Sequence, residues 1–150
     1  MSSIRSIKAI QVLDSRGLPT VSCKVILDCG IEAIAIVPSG ASTGTKEALE
    51  LRDGGNAYMG KGVEKAVNNI NIHINPLLEK LDPEDQKSID KKLIDLDGTS
   101  DKSNIGANAI LAVSLAVSHA AAKKKNIPLH QHFSEIYKNI TGLNVKPNLP

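Results

Sequence analysis

Hydroxyl side chains and glycines are concentrated in residues 37–44 (VPSGASTG), which hold two serines, one threonine, two glycines and one proline. An apolar run precedes this stretch and the polar sequence TKEALELRD follows it. A serine hydroxyl can be a nucleophile, and its oxygen is also a hard ligand of the kind that Mg²⁺ prefers. Three interpretations are therefore open: a nucleophile on a turn, a mobile loop that closes over an anion and a metal, or a plain connector.

The nucleophile interpretation is based on residues 40–44 (GASTG), which fit the G-x-S-x-G pattern with Ser42 in the central position. Candidate bases follow downstream at His119, His130 and His132. A nucleophile elbow of this type sits on top of a large parallel sheet, whereas the strands predicted below form only a short antiparallel meander. Serine hydrolysis is therefore disfavoured.

A phosphate cradle is the next alternative, because backbone N–H groups in a glycine-rich turn before a helix favour anions. The strict P-loop needs four residues between its glycines and then Gly-Lys. Here only three residues separate Gly40 from Gly44, and Thr45 precedes Lys46. The pattern alone leaves a phosphate cradle and a flexible connector both possible.

The composition of the 150-residue chain fits one domain with a core of aliphatic side chains, since 41% of residues are apolar and only three are aromatic. So few aromatic residues disfavour a base-stacking platform. The 18 basic and 16 acidic side chains are too balanced for an electrostatic nucleic-acid binder. The KKK run at 123–125 is predicted to be the charged last turn of a helix. We expect no nucleic-acid partner.

Cysteine usage and hydropathy favour a cytoplasmic protein. Cys23 and Cys29 are too few for a disulfide scaffold and lack metal-binding spacing, so both are predicted to be small apolar side chains in a reducing compartment. The N-terminus has no long apolar segment of the secretory type. Polar residues interrupt the apolar stretch 105–122, which predicts a buried helix and no membrane span.

Period-two alternation predicts three strands near the N-terminus. Residues 20–27 alternate strictly, and 4–13 and 31–37 are rich in β-branched residues. In the first strand, Ile7, Ala9 and Leu13 are predicted on one face, and Ile4, Ile10 and Val12 on the other. Tight turns between the strands predict an antiparallel meander.

The period changes to helical after residue 45. The predictions are a short helix ended by Gly54, a longer helix that Pro76 breaks or kinks, a helix capped by Asp82 and ended by Gly98, a central buried helix ended by Asn126 and Pro128, and a final helix. The fold class is therefore α+β: a three-stranded antiparallel meander followed by about four helices. We expect residues 142–150 to be a linker.

Several long motifs occur in the order seen in the enolase family: LDSRGLPT, VPSGASTG, KEALELRDG, GKGVEKAV, LDGT and GANAILAVSLAV. Over residues 4–150 the chain resembles the N-terminal domain of enolases. The resemblance implies that residues 1–141 form this domain and that 142–150 lead to a C-terminal α/β barrel. In the family that barrel carries the base lysine, the acid glutamate and the metal carboxylates, so no catalytic residue is expected in this chain.

The resemblance also implies a role for the glycine-rich stretch. Enolases interconvert 2-phosphoglycerate and phosphoenolpyruvate in glycolysis with Mg²⁺, and this loop closes over the substrate. Ser42 would ligate the second Mg²⁺, and Gly40 and Ala41 would lie beside the substrate. The isolated chain would be inactive; the alternative is a non-catalytic interaction module with the same fold.

The chain departs from the family pattern at three positions. Leu18, Ile10 and Ser22 stand where asparagine, arginine and glutamate are common. In the family the latter two usually form charged contacts across a dimer. A homodimer stays possible through apolar burial.

The remaining polar residues of the motifs are given structural roles. Arg16 is predicted to be a structural charge at a turn and domain interface, and Lys61 to position a loop. Glu47 and Glu50 are predicted to form helix surface or to pair with Arg52. The four histidines are predicted to be structural or exposed, because they form no metal-like constellation: His73, His119, His130 and His132.

Overall fold

The structure is a computed structural model that describes residues 2–40, 44 and 46–145. Its strands are β1 (Ile4–Leu13), β2 (Pro19–Leu27) and β3 (Glu32–Ile36). The helical elements are a short 3₁₀ segment (Ala57–Gly60), α1 (Glu64–Asn69), a π-helical segment (Ile70–Ile74), α2 (Asn75–Leu78), α3 (Gln86–Asp97), α4 (Ala107–Lys125) and α5 (Leu129–Thr141). The predicted α+β class, a three-stranded antiparallel meander followed by helices, is confirmed.

The sheet has the order β1-β2-β3, with antiparallel pairing throughout. The predicted alternation of β2 is confirmed, because Val21, Cys23, Val25 and Leu27 are all buried. The prediction for β1 is wrong at both ends. Ile4 is buried on the same side as Ile7 because the strand register shifts between Ile4 and Ser6, and Leu13 is 58% exposed.

The outer face of the sheet carries two of the three positions at which the chain departs from the enolase pattern, Ile10 and Ser22, whereas Leu18 lies in the turn before β2. Ile10 pairs with Ser22, and Ser22 pairs in turn with Ile36. Ile10 and Ile36 are both exposed, at 61% and 57%. The two replaced charges of the family pattern therefore belong to adjacent positions in one cross-strand row.

The core lies between the inner face of the sheet and α4, as predicted for the central helix. Its buried side chains are small, and alanines at 109, 112, 116 and 120 let the helix approach the sheet closely. Asn126 ends the helix in the left-handed conformation, with φ 54°, which confirms the predicted terminus. Within the described ranges, no helix combines the length and the apolar character needed to cross a membrane.

The three lysines at the end of α4 form contacts within the chain, and Lys123 donates to the Glu32 carbonyl at 2.7 Å. Lys124 pairs with Asp82 (3.2 Å) and Glu84 (2.8 Å), and Lys125 pairs with Glu135 (2.8 Å). The prediction that this run is the charged last turn of a helix is confirmed.

The helical stretch from 64 to 78 changes its winding before Pro76. The Asn75 amide reaches back five residues to the Ile70 carbonyl, which is the π-helical pattern. Proline lacks an amide hydrogen, and the π-helical segment lies immediately before α2, which has Pro76 in its first turn. The predicted break is therefore a local change of helix type.

Two asparagines of this region cover the outer edge of β1. Asn71 Oδ1 accepts from the Ala9 amide (2.8 Å), and its Nδ2 donates to the Ala9 carbonyl (3.1 Å). Asn75 Oδ1 accepts from the Ile7 amide (2.7 Å). These side chains satisfy backbone groups that a neighbouring strand would otherwise pair with.

The predicted cap of α3 is wrong by three residues. Asp85 is the N-cap, and its carboxylate accepts from the Ser88 amide at 3.1 Å. Asp82 accepts from the Glu84 amide in the preceding turn, also at 3.1 Å. The predicted end at Gly98 is confirmed, with φ 70°.

The predicted helix over 46–54 is wrong, because the described residues of this stretch are non-helical. Its backbone groups bond to distant parts of the chain. The Leu49 amide donates to Asp101 O (2.6 Å), and the Ala107 amide donates to Leu49 O (2.8 Å). Tertiary contacts therefore override a helical local propensity.

The two cysteines are both free, and they lie in different surroundings. Cys23 is buried in the core, and burial raises the pKa of its thiol to about 12. Cys29 is exposed in the β2–β3 turn, so it does not share the apolar surroundings of Cys23. The sequence DCG places it in the turn, where no face of the sheet covers it.

Candidate functional site

The candidate site is a cleft of about 670 Å³ between the end of β3, the stretch 47–52 and the N-terminus of α4. Of the predicted site residues, Gly40 lines this cleft and is exposed. Ala41 and Ser42 lie outside the described residues. The lining residues are Val37, Pro38, Gly40, Gly44, Glu47, Ala48, Leu49, Glu50, Arg52, Asp101, Ala107, Asn108 and Leu111.

The chain enters the site from a firmly held strand end. The Val37 amide donates to Val21 O at 3.0 Å, and the buried Thr20 hydroxyl donates to Val37 O at 2.7 Å. Both contacts come from β2. The backbone is therefore fixed by the sheet up to the residue that precedes Pro38.

Two arginines then contact Ser39 from different elements. Arg16 Nη2, in the β1–β2 turn, donates to the Ser39 carbonyl at 2.9 Å. Arg52 Nη2 donates to Ser39 Oγ at 3.0 Å, and that hydroxyl donates to Glu50 Oε2 at 3.3 Å. Sequence analysis missed Ser39. The only available signal was an arginine in each flanking motif, DSRG and ELRD.

Arg52 also bonds to two other parts of the fold and to a carboxylate of its own stretch. Its Nη1 donates to the carbonyls of Pro19 and Lys61, both at 2.6 Å, and its Nη2 donates to Glu50 Oε1 at 2.6 Å. The prediction that Glu50 pairs with Arg52 is confirmed. Lys61 contributes through its backbone carbonyl.

Arg16 is held by a local ion pair, as its predicted structural role requires. Its Nη2 lies 3.0 Å from Asp14 Oδ2. The Leu18 amide, and then the Arg16 side chain, hold the pKa of Asp14 below its usual value. Asp14 is therefore charged at neutral pH and orients the guanidinium toward Ser39.

The far side of the cleft is joined to α4 by Asn108. Its Oδ1 accepts from the Leu51 amide (3.1 Å), and its Nδ2 donates to the Leu51 carbonyl (3.0 Å). Asn108 is 3% exposed, so these two bonds are shielded from water. The side chain substitutes for a strand partner of residue 51.

Asp53 extends the same stretch to α1. Its two carboxylate oxygens accept from the Glu64 and Lys65 amides, each at 2.8 Å. The first turn of α1 is thus capped by a residue eleven positions upstream. The stretch 47–53 therefore spans from the cleft to the start of the helices.

Electrostatically, the cleft carries acidic groups at Glu47, Glu50 and Asp101, of which Glu50 is neutralised by Arg52. Within the part of the chain that the structure describes, no group of three or more histidine, cysteine or acidic side chains could hold a metal ion. These residues do not by themselves form a metal-binding shell.

The histidines do not line the cleft as described. His73 and His130 are exposed, His119 is half-buried and His132 is fully buried. The prediction that they are structural or exposed agrees with these positions. A serine hydrolase needs a base beside its nucleophile, and the described lining supplies no histidine for that role.

These features define a class of protein: a small α+β domain in which a glycine- and serine-rich stretch follows β3. Two arginines bond to Ser39 at the start of that stretch. The sequence matches the family described as "Enolase, N-terminal domain" over residues 4–133. It is also 55% identical over 139 residues to the protein named Enolase from Mycoplasmoides gallisepticum (strain R(low / passage 15 / clone 2)). That alignment covers 93% of this chain and 29% of the relative. The chain belongs to the enolase N-terminal domain family.

Proposed function

We propose that this chain is the N-terminal domain of a Mg²⁺-dependent phosphopyruvate hydratase, a cytoplasmic lyase of glycolysis. Residues 1–141 form the domain, and 142–150 link it to a C-terminal α/β barrel. The barrel supplies the catalytic base, the acid and most metal ligands for interconverting 2-phosphoglycerate and phosphoenolpyruvate. The family match and the 55% identity to a relative named Enolase support this proposal.

Within this function, the glycine-rich stretch acts as a mobile loop over the substrate. Gly40 and Ala41 contact the substrate through their backbone, and Ser42 supplies one oxygen ligand to Mg²⁺. The observation that supports it best is the anchoring of both flanks, at Ser39 and at Leu49, around residues that are small and rich in hydroxyls. Glycine permits the backbone changes that such a loop needs.

The metal proposal is consistent with the donors of this chain. A serine hydroxyl is a hard oxygen ligand, and the described residues form no group of acidic or imidazole ligands that could hold the ion alone. The ion is therefore held mainly by the barrel. When bound, Mg²⁺ stabilises the negative charge that develops next to the substrate carboxylate.

The loop role is tested with Ser42→Ala in the full-length protein. We expect the concentration of Mg²⁺ needed for half-maximal activity to rise and turnover to slow by about tenfold or more, because one oxygen ligand is lost. The melting temperature should not change. Ser100→Ala, at an exposed position outside the cleft, is the matched control. An unchanged Mg²⁺ dependence would contradict the ligand role.

A homodimer is the oligomeric form that this proposal allows, formed by burial of apolar side chains. The exposed isoleucines at 10 and 36, in the row with Ser22, are consistent with such burial. Sedimentation velocity of the full-length protein decides the point, and a monomer at micromolar concentration would exclude this form.

A further inference from the structure

We propose that Arg16 and Arg52 are positioning residues that act through Ser39 and fix the place at which Gly40 meets the substrate. This inference rests on the proposed function, in which Gly40 is a substrate contact. Neither arginine is required to touch substrate itself.

We call this pair of arginines, Arg16 and Arg52, the clamp. The two guanidinium groups bond to different atoms of one residue. Arg16 donates to the Ser39 carbonyl (2.9 Å) and Arg52 donates to the Ser39 hydroxyl (3.0 Å). One contact fixes the backbone, and the other fixes the side chain. The carbonyl and the side chain of Ser39 are therefore both restrained.

Charge pairing argues against a direct role of these arginines in binding an anionic substrate. Arg16 lies 3.0 Å from Asp14, and Arg52 lies 2.6 Å from Glu50. Each guanidinium is therefore neutralised and oriented by a carboxylate of its own neighbourhood. Charge-assisted hydrogen bonds of this type are stronger than neutral ones, which suits a positioning role.

The neighbours of Ser39 make it the last fixed point before the glycine. Val37 is bonded to β2, and the ring of Pro38 restricts its own φ and the conformation of Val37. Gly40 follows directly and is exposed at the cleft. A glycine has many accessible conformations, so its position depends on how firmly the preceding residue is held.

Arginine is needed at position 52 because one side chain reaches four acceptors. Its two terminal nitrogens contact Pro19 O, Lys61 O, Ser39 Oγ and Glu50 Oε1. A lysine ammonium is a single point donor and cannot span this set. Arg52→Lys therefore keeps the charge but loses the clamp.

The first test is kinetic and uses the full-length protein. Arg16→Lys and Arg52→Lys should each raise KM for 2-phosphoglycerate about tenfold, with kcat changed less than twofold, because Gly40 contacts the substrate before and during reaction. Arg5→Lys, an exposed position on β1, is the matched control and should leave both constants unchanged. Unchanged KM in both clamp variants would overturn the inference.

Ser39→Ala separates the two contacts, because it removes the hydroxyl and leaves the carbonyl. It should reproduce the effect of Arg52→Lys and add little to it in the double variant. Combined with Arg16→Lys, its effect should instead add. If the effects on KM add fully in both double variants, Ser39→Ala with Arg52→Lys and Ser39→Ala with Arg16→Lys, then Arg52 does not act through Ser39.

A second readout does not depend on activity. In the 150-residue chain, the backbone order parameter of Ser39 should be near 0.85 and should fall toward about 0.6 in Arg16→Lys and Arg52→Lys. A lower order parameter of Ser39 without any change in KM would mean that the two arginines only stabilise the structure, and it would refute their role in substrate binding. If the full-length protein does not act on 2-phosphoglycerate, the proposed function fails, and the order parameter alone still decides the clamp.

Discussion

Asp97, in the motif LDGT, is a buried acid whose carboxylate has a structural role. It is 1% exposed, and its carboxylate accepts from the amides of Thr99 (3.0 Å), Asn104 (3.1 Å) and Ile105 (2.7 Å), as well as from the Thr99 hydroxyl. Burial acts to raise the pKa of Asp97, but these hydrogen bonds prevail and lower it. An anion so fully bonded orders the turn that places Asp101 against Leu49.

His132 is a residue at which stability should depend on pH. It is fully buried, and within the described residues neither ring nitrogen has a hydrogen-bond partner. Burial, and then Lys125 at the end of α4, lower the pKa of His132, while Glu135 and Glu84 act in the opposite direction with smaller effect. The ring is therefore neutral in the folded protein at neutral pH.

The sign of the pH effect follows from this lowered pKa. Above the unfolded pKa, about 6.5, the ring is neutral in both states and its contribution to stability is complete. As pH falls below that value, the unfolded chain binds a proton that the folded chain resists, so stability decreases. We expect the free energy of unfolding to fall from pH 7 to 5.5, and His132→Leu to show a smaller decrease.

The measurement is urea denaturation at several pH values, with His130→Leu as the control at an exposed position two residues away. NMR titration of the imidazole in the unmodified chain gives an independent value. A His132 pKa at or above 6.5 in the folded chain would contradict the prediction.

At the level of elements, predictions succeeded where the determining residues are local in sequence. The alternation of β2 and the left-handed terminators of α3 and α4, at Gly98 and Asn126, could be read directly. Residues 46–54 could not, because Asp101 and Asn108, some fifty positions downstream, bond the backbone of this stretch. The same limit applies to the site, where Gly40 was named but Ser39 depends on arginines from two other segments.

Gly106 should be required for the junction between Leu51 and α4. Its φ is 98°, and an added Cβ would lie 2.6 Å from both Leu51 Cβ and Asn108 Oδ1. We expect Gly106→Ala to lower the free energy of unfolding by about 3 kcal/mol, from the combined backbone strain and steric overlap.

Gly30→Ala is the matched control for this prediction. Gly30 also has a positive φ, 85°, but nothing lies within 4 Å of an added Cβ. It should cost only about 1 kcal/mol, the penalty of the left-handed conformation. Equal losses in the two variants, measured by chemical denaturation, would show that the junction tolerates the extra carbon.

At the scale of the whole molecule, the proposed function assigns the substrate loop to this chain and the base, the acid and most metal ligands to the barrel. It therefore predicts that activity requires both domains. The chain covers 29% of the length of its enolase relative, and its described residues form no metal-binding group. We expect no dehydration of 2-phosphoglycerate by the purified chain with Mg²⁺, because the proposed base and most metal ligands belong to the barrel.

The assay compares the chain alone, a separately produced barrel, and the two mixed. Activity that appears only in the mixture would support the proposal, and Ser42→Ala in the chain should reduce it. Turnover by the chain alone would contradict the assignment of the catalytic groups to the barrel. Physical association without activity would favour the interaction-module alternative.

The asparagines that bond to β1 also determine how copies of this chain can meet. An uncovered strand margin can recruit the backbone of another molecule and start an ordered aggregate. Asn71 and Asn75 occupy that margin at Ala9 and Ile7. Strand recruitment at β1 would first have to displace both amides, so the asparagines protect this margin against fibril growth.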